Sequence, residues 1–146
     1  LKLARIECTM FEFVCQIHDI ALRNGGRRDG NDAIKRAMEH ITRNHGSEIT
    51  LKSVSESVFM SPNYFSTLFH KYAGMTFGEY LTDARIRHAM RLLGETNKSV
   101  SKIASECGFS SQNYMSDAFR KVTGKSPSEY KRIKKESDSI KLDDPE

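Results

Sequence analysis

The 146-residue chain has no tryptophan, only three prolines, and no apolar run long enough to cross a membrane. A membrane-spanning helix needs about 18 consecutive apolar residues. The first residues alternate between charged and apolar types, unlike the compact apolar centre and cleavage site of a secretory signal. Runs of β-branched residues, which would indicate strands, are also scarce. These absences predict an all-α cytoplasmic protein, and a start at Leu1 rather than Met is typical of a fragment of a longer chain.

Residues that carry catalysis or bind metals form no known motif in this sequence. Cys8, Cys15 and Cys107 match no zinc or redox spacing, and we interpret them as buried free thiols of a reducing compartment. None of the five histidines has a second histidine four residues away. Neither a nucleophile–base motif nor a glycine-rich phosphate loop after a strand is present. The sequence therefore predicts a protein that is not an enzyme and that holds no cofactor and no metal.

The net charge of +4 is unevenly distributed along the chain. Residues 136–146 hold five acidic residues and one lysine, a net of −4, which leaves 22 basic and 14 acidic residues, a net of +8, in residues 1–135. A body this basic favours a polyanionic partner, although a merely solvated surface would have the same composition.

Four segments differ in pattern. Apolar residues alternate at spacings of three and four in residues 1–23, which predicts an amphipathic helix. The sequence NGGRRDGN, residues 24–31, is typical of a flexible linker. Residues 32–135 form the body, and residues 136–146 are predicted to be an acidic disordered tail. The apolar stripe of the first segment consists of Leu3, Ile6, Met10, Phe13, Ile17 and Ile20.

Capping signals divide the body into seven predicted helices. Ser61 followed by Pro62 is a helix start, because proline at the first helical position loses no hydrogen bond. Glycines at 74 and 124 are helix ends. Thr76 and Glu79 form a capping box that starts a long linking helix. The predicted helices are one ending at Gly46, then 51–58, 61–72, 76–95, 99–107, 111–123 and one starting at Ser126.

The strongest internal signal is a repeat. At an offset of 50, residues 55–80 and 105–130 are identical at 12 of 26 positions. Each copy is a short helix, a tight turn and a longer capped helix, which is the helix-turn-helix pattern. We therefore expect two helix-turn-helix subdomains, residues 32–75 and 96–135, joined by the linking helix 76–95.

The second helix of each copy has an apolar face, predicted to be core, and a polar face. The residues predicted to face inward are Phe59, Tyr64 or Phe65, Leu68, Phe69, Tyr72 and Tyr80 in the first copy, and Phe109, Tyr114, Met115, Ala118, Phe119, Val122 and Tyr130 in the second. The outward residues are rich in Asn, Gln, Ser, Thr and Arg, the types that hydrogen-bond base edges. A generic solvated helix would more often carry Glu and Lys.

The length of the linking helix agrees with this interpretation. About 20 residues at roughly 1.5 Å each span about 30 Å, close to the ~34 Å between successive major grooves on one face of B-DNA. One chain is therefore predicted to place both second helices in adjacent grooves of double-stranded DNA.

The segments SPNYFSTLFHKYAGMTFGEYLTDARIRHAMRLL and SVSKIASECGFSSQNYMSDAFRKVTGKSPSEYKR resemble the DNA-binding domain of the AraC/XylS family of bacterial transcription regulators. The resemblance covers about residues 32–133. It implies two helix-turn-helix units, each inserting a recognition helix into the major groove, often preceded by a sensing or dimerisation domain. It also implies that the base-contacting positions are Asn63, Ser66, Thr67 and His70 in the first unit and Gln112, Asn113, Ser116, Asp117 and Arg120 in the second.

Several of these positions are small or acidic where many relatives carry Arg or Gln. Asp117 would repel phosphate, so it either accepts a hydrogen bond from cytosine or lies off the DNA. Arg85, on the linking helix, is open to either a phosphate or a structural role. Phosphate contacts are expected from helix N-termini and neighbouring basic residues, namely Ser61, Lys71, Arg87, Lys98, Ser111, Lys121 and Lys125.

Two function hypotheses remain at the level of sequence. The first is a sequence-specific DNA-binding transcription regulator, with activation as its expected role. The alternative is a protein-interaction module that recruits polymerase or another regulator and binds DNA weakly. RNA polymerase and a second copy of the chain, contacted through residues 1–23, are further candidate partners. Residues 1–23 would equally suit a helix packed on a preceding domain.

Overall fold

The computed structural model of the protein describes Ile17 and residues 27–142. The described residues contain seven helices and no strand, which confirms the predicted all-α body with two helix-turn-helix units. In chain order the helices are α1 (Arg27–Asn44), α2 (Leu51–Ser57), α3 (Pro62–Ala73), α4 (Phe77–Glu95), α5 (Val100–Glu106), α6 (Gln112–Thr123) and α7 (Pro127–Leu142). Within the part of the chain that is described, no helix combines the length and apolar character needed to cross a bilayer.

The chain divides into two compact units. Among the described residues, the first unit contains α1 together with Ile49–Tyr80, and the second contains His45–Glu48 together with residues 81–142. The first unit therefore holds the helix pair α2 and α3, and the second holds the pair α5 and α6. Each unit has its own apolar core.

The core of the first unit is aromatic. Phe65 and Phe69, one turn apart on α3, are fully buried, with ring centroids 5.6 Å apart. The ring of Phe77 lies 6.1 Å from Phe65 and 6.0 Å from Phe69, in both cases edge to face. Such edge-to-face pairs add about 0.5–1.5 kcal/mol to the burial of the rings. The buried stripe of α1 closes this core with Ala33, Ile34, Ala37 and Ile41.

The core of the second unit is mixed aliphatic and aromatic. Met115 and Phe119 of α6 are fully buried, and the ring of Tyr130 lies 5.5 Å from that of Phe119. Cys107 is buried in the same cluster, and burial raises the pKa of its thiol to about 11. The thiol therefore stays protonated at neutral pH, in agreement with its interpretation as an inert core residue. Cys8 and Cys15 lie outside the described residues.

The two turns differ by one residue, which corrects the uniform offset of 50. Met60 N–H donates to Ser55 O at 2.9 Å, and Phe109 N–H donates to Ala104 O at 3.0 Å, so Met60 and Phe109 are equivalent. The offset is therefore 49 up to the turn and 50 from the next helix onward, with Ser110 as the extra residue. This register explains why Ser55 is fully buried, as Ala104 is, whereas Ser105 is exposed.

The prediction that Phe59 is a core residue is wrong. The equivalent of Phe59 in the second turn is Gly108, and both adopt a positive φ, +56° and +83° respectively. The Phe59 side chain is 56% exposed, and Met60 takes the core position instead.

Two segment boundaries also differ from the predictions. Residues 27–31, predicted to be linker, are the first turns of α1, and Gly30 is a packing residue, because a Cβ there would lie 3.2 Å from Leu68 Cδ2. Residues 136–142, predicted to be disordered, continue α7. Lysine and glutamate are strong helix formers and the capped N-terminus at Ser126 nucleates the helix, so it propagates past the core. The predicted helix 1–23 lies outside the described residues except for Ile17, which is helical and exposed.

Candidate nucleic-acid interface

Helices α3 and α6 are built alike from their caps inward. The Ser61 hydroxyl oxygen accepts a hydrogen bond from Tyr64 N–H at 3.4 Å, and that of Ser111 accepts one from Tyr114 N–H at 3.1 Å. Both helices contain 12 residues and end at a left-handed glycine, Gly74 or Gly124. Matching caps give the two helices the same length and the same set of outward positions.

The predicted base-contacting residues lie on the outer face of these helices or, for Gln112, at the exposed N-terminal end of α6. Only the i, i+4 pairs Phe65–Phe69 and Met115–Phe119 are fully buried, so the opposite face of each helix is open. Ser66 and Ser116 are half-buried at the edge of that face. The other predicted base-contacting residues are exposed, namely Asn63, Thr67 and His70 on α3, and Gln112, Asn113, Asp117 and Arg120 on α6.

Three residues predicted to face inward lie on the surface. Tyr72 is 43%, Tyr114 53% and Val122 49% exposed. The buried strip of each helix is narrower than the apolar pattern suggests, because two residues per helix fill the space over the core. Of the three, Tyr114 lies next to Asn113 on the exposed part of α6, and sequence reasoning missed it there, because an aromatic ring at helical spacing is usually a core residue.

The predicted phosphate contacts fall into three groups. Lys71, Lys121 and Lys125 are exposed. Ser61 and Ser111 are N-caps, and each hydroxyl oxygen accepts a backbone hydrogen bond from the first turn of its helix.

The remaining two phosphate candidates already have acidic partners. Arg87 pairs with Asp83 one turn earlier on α4. Lys98 Nζ contacts both carboxylate oxygens of Glu106, at 3.0 and 2.8 Å. The hydrogen bond from Lys98 lowers the pKa of the Glu106 carboxyl. A phosphate contact by Lys98 would have to compete with this pair, so the geometry favours a role for Lys98 in fixing α5.

Arg85 has a structural role. Its Nε donates to His45 O at 2.9 Å and its Nη2 donates to Ser47 O at 3.3 Å, so the guanidinium holds the loop His45–Glu48 against α4. Burial lowers the pKa of the Arg85 guanidinium below its ordinary value. Gly108 lies over the same loop, since a Cβ at this position would meet His45 O at 2.9 Å.

The segment before α5 is held in place by two lysines, which the sequence analysis did not identify. Lys131 Nζ donates to Lys98 O at 2.9 Å, and Lys135 Nζ donates to Asn97 Oδ1 at 2.6 Å. Both lie on α7, far along the chain from their partners, so no local sequence signal could have identified them.

A protein with two such helix pairs, each with a capped second helix and a polar outer face, is a double helix-turn-helix protein. The family model described as a helix-turn-helix domain matches residues 54–133, and the chain belongs to this family. It is of the AraC type, which confirms the resemblance seen in the sequence.

Similar proteins include a regulator and two solved domains. The chain is 42% identical over 94 residues to the uncharacterized HTH-type transcriptional regulator YijO of Escherichia coli, with 64% of this chain and 33% of that protein covered. It is 34% identical to the C-terminal domain of AraT, a response regulator from Geobacillus stearothermophilus, with a TM-score of 0.66 and coverage of 69% and 84%. It is 26% identical to the DNA-binding domain of AdpA, a global transcriptional factor solved in complex with a target DNA, with a TM-score of 0.61 and coverage of 70% and 88%.

The chain thus spans nearly all of these solved domains but about a third of the length of the regulator YijO.

Proposed function

We propose that the protein is a transcription regulator that binds double-stranded DNA in a sequence-specific manner, with α3 and α6 as recognition helices in successive major grooves. The observation that carries the proposal is the repeated geometry of α3 and α6, two 12-residue helices with serine N-caps, buried inner pairs and exposed polar outer faces. The similarity to a domain solved with its target DNA supports it.

The residue types on the two outer faces suit direct readout of bases. Asn63, Gln112 and Asn113 carry amides of the kind that form paired hydrogen bonds with adenine, and Arg120 suits guanine. Asp117 repels phosphate but can accept from the amino group of cytosine. Thr67 Oγ1 donates to Asn63 O at 3.0 Å, which leaves its methyl group available to a thymine methyl and its oxygen lone pairs to donors. His70, Ser66 and Ser116 complete the proposed base-contacting set.

The phosphate backbone supplies most of the affinity in such complexes and none of the direct sequence readout. We assign this role to the exposed lysines Lys71, Lys121 and Lys125 and to the hydroxyls of the N-caps Ser61 and Ser111. Arg87 and Lys98 join them only where a phosphate displaces Asp83 or Glu106.

For the whole protein we propose a cytoplasmic bacterial activator that is not an enzyme and uses no cofactor. Most similar proteins are named as transcription regulators, and one of them is named as both an activator and a DNA repair enzyme. RNA polymerase and a second copy of the chain, contacted through residues 1–23, are the proposed protein partners.

The test compares binding to a duplex selected from random sequences with binding to unrelated duplex DNA. Asn63→Ala and Gln112→Ala should each weaken binding to the selected duplex by about 1–3 kcal/mol and leave binding to unrelated DNA nearly unchanged, because base contacts carry the specificity. Asn31→Ala, at an exposed amide on α1, is the matched control and should change neither affinity.

Salt dependence separates this function from a protein-interaction module. A protein that binds DNA loses affinity steeply as the salt concentration rises, because each neutralised phosphate releases counterions.

Equal losses of affinity by Asn63→Ala and Gln112→Ala on both duplexes would contradict the base-contact assignment. A wild-type protein that binds DNA weakly and with a shallow salt dependence would favour the interaction module.

A further inference from the structure

Tyr114 is a large exposed side chain on α6, within the proposed interface. Its phenol ring is 53% exposed and lies 5.9 Å from the ring of Phe109, edge to face. Phe109 is 7% exposed, so the tyrosine ring packs against the core on one side while about half of the side chain is exposed, and the hydroxyl lies within electrostatic range of the Arg85 guanidinium. The Tyr114 hydroxyl makes no hydrogen bond to any other described residue, so it has full capacity to donate to a ligand.

Tyr114 and Lys121 lie on the same side of α6. Seven residues separate them, which is close to two full turns, or about 10 Å along the helix axis. Asn113 and Asp117 lie on the adjacent strip, at the centre of the face opposite Met115 and Phe119. The outer surface of α6 therefore has a central strip of base-reading types and a flank formed by a phenol and an ammonium group.

A helix in the major groove presents its centre to base edges and its flanks to the phosphates of the groove walls. A tyrosine hydroxyl is a neutral donor that binds phosphate oxygens in many protein–DNA interfaces. A ring held at one edge loses little conformational freedom when it binds, since only the hydroxyl torsion remains to be fixed.

We propose that Tyr114 is a phosphate-contacting residue that positions α6, with its hydroxyl donating a hydrogen bond to a backbone phosphate on the same groove wall as the phosphate contacted by Lys121. This inference rests on the proposed DNA-binding function. It also accounts for the acidic Asp117 within α6, because a phenol and an ammonium on the flank offset the repulsion between Asp117 and the backbone. In the first unit the equivalent Tyr64 is half-buried, so this flank is a property of α6.

The test is Tyr114→Phe, which removes the hydroxyl and keeps the ring on Phe109. We expect about 10- to 150-fold weaker binding to both the selected and the unrelated duplex, as for loss of one hydrogen bond to a charged group. The slope of log affinity against log salt should stay unchanged, because a neutral donor releases no counterion. Lys121→Ala should instead flatten that slope by about one unit.

The position of the contact is tested with selected duplexes that carry a single uncharged methylphosphonate. One such substitution should weaken binding of the wild type and leave binding of Tyr114→Phe unchanged. Tyr130→Phe, at the ring packed on the inner side of α6 against Phe119, is the matched control and should bind as the wild type does. Equal urea midpoints for the three proteins verify that the variants fold.

Each other outcome overturns the inference. If Tyr114→Phe loses affinity only for the selected duplex, Tyr114 contacts a base. If the variant loses no affinity for either duplex, Tyr114 makes no contact with DNA. If Asn113→Ala still loses affinity only on the selected duplex in these cases, the proposed function stands without the Tyr114 contact. If the wild type shows neither preference for the selected duplex nor salt dependence, the proposed function itself fails.

Discussion

At the scale of single residues, the turns of the two helix-turn-helix units both contain one residue with a left-handed backbone, but the residue type differs between them. Phe59 adopts a φ of +56° with its ring exposed, whereas the equivalent Gly108 has a φ of +83° under the carbonyl of His45. A Cβ at Gly108 would also lie 3.0 Å from Arg85 Nε. A side chain is therefore tolerated in the first turn and excluded from the second.

Gly108→Ala should lower the free energy of unfolding by about 2 kcal/mol or more, because left-handed strain of about 1–2 kcal/mol adds to displacement of the loop His45–Glu48. Gly124→Ala is the matched control, since its φ is +75° and nothing lies within 4 Å of the added Cβ. It should cost only the strain, about 1 kcal/mol. Equal costs for the two variants, measured by urea unfolding, would show that the close approach at Gly108 has no energetic weight.

His88 makes the stability of the second unit sensitive to acid. Burial lowers the pKa of His88 from its ordinary value of 6.5, and the nearby His45 and Arg91 lower it further. Its Nδ1 is buried without a hydrogen-bond partner among the described residues, and its ring lies 4.6 Å from that of His45. The unfolded chain therefore binds a proton at this histidine more readily than the folded chain.

Because the folded pKa is the lower one, stability should fall as the pH drops from above 6.5 towards the folded pKa of His88. The expected result is a lower urea midpoint at pH 5.5 than at pH 7.5 for the wild type, with a smaller difference for His88→Leu. An unchanged difference in the variant would place the acid sensitivity elsewhere. The Lys98–Glu106 ion pair affects stability in a different pH range. Because the pKa of Glu106 is lowered in the folded protein, the stabilisation from this pair is lost only as the pH falls below about 4.5.

At the scale of elements, the serine caps fix where each recognition helix begins. Two adjacent serines precede α6, but only Ser111 accepts a hydrogen bond from the first turn of the helix. The N–H group that it satisfies would otherwise lack a partner.

Ser111→Ala should therefore cost about 1 kcal/mol of unfolding free energy, the usual value for loss of an N-cap. Ser110→Ala, at the exposed residue one position earlier, should stay within about 0.5 kcal/mol of the wild type. Thermal or urea unfolding of the two variants measures these free energies. Equal losses of stability would show that Ser111 is not the N-cap of α6.

Local signals explain what the sequence could predict at this scale. Seven helices, and their ends except the start of α1 and the end of α7, follow from caps, glycines and apolar spacing, which act over a few residues. The one-residue difference between the turns escaped prediction because identities at an offset of 50 occur on both sides of Ser110. The close approach at Gly108 and the anchoring by Arg85 both involve the carbonyl of His45, which is 40 or more residues away in sequence. Rules based on local residue spacing cannot predict a contact between residues so far apart in sequence.

At the scale of the whole molecule, the two units hold their recognition helices in similar ways, but the outer faces of these helices carry different residues. Each recognition helix is fixed by the buried residues of its own unit, so its outer face can differ without disturbing the other. The inner pairs Phe65–Phe69 and Met115–Phe119 are alike in position. The outer pair of α3 is Ser66–Thr67, and the corresponding outer pair of α6 is Ser116–Asp117. The proposed function therefore implies an asymmetric binding site with two unlike halves.

Asp117→Thr gives α6 the same outer pair as α3 and tests this implication. Selection from random duplexes should yield, for the wild type, sites about two helical turns long with a different sequence in each half. The variant should select sites of the same length in which one half has changed, since an acceptor for cytosine is replaced by a side chain suited to thymine. Thr67→Asp should alter the other half instead. Changes in both halves with either variant would show that the two helices do not read independently, and a site of one turn would leave α6 out of the readout.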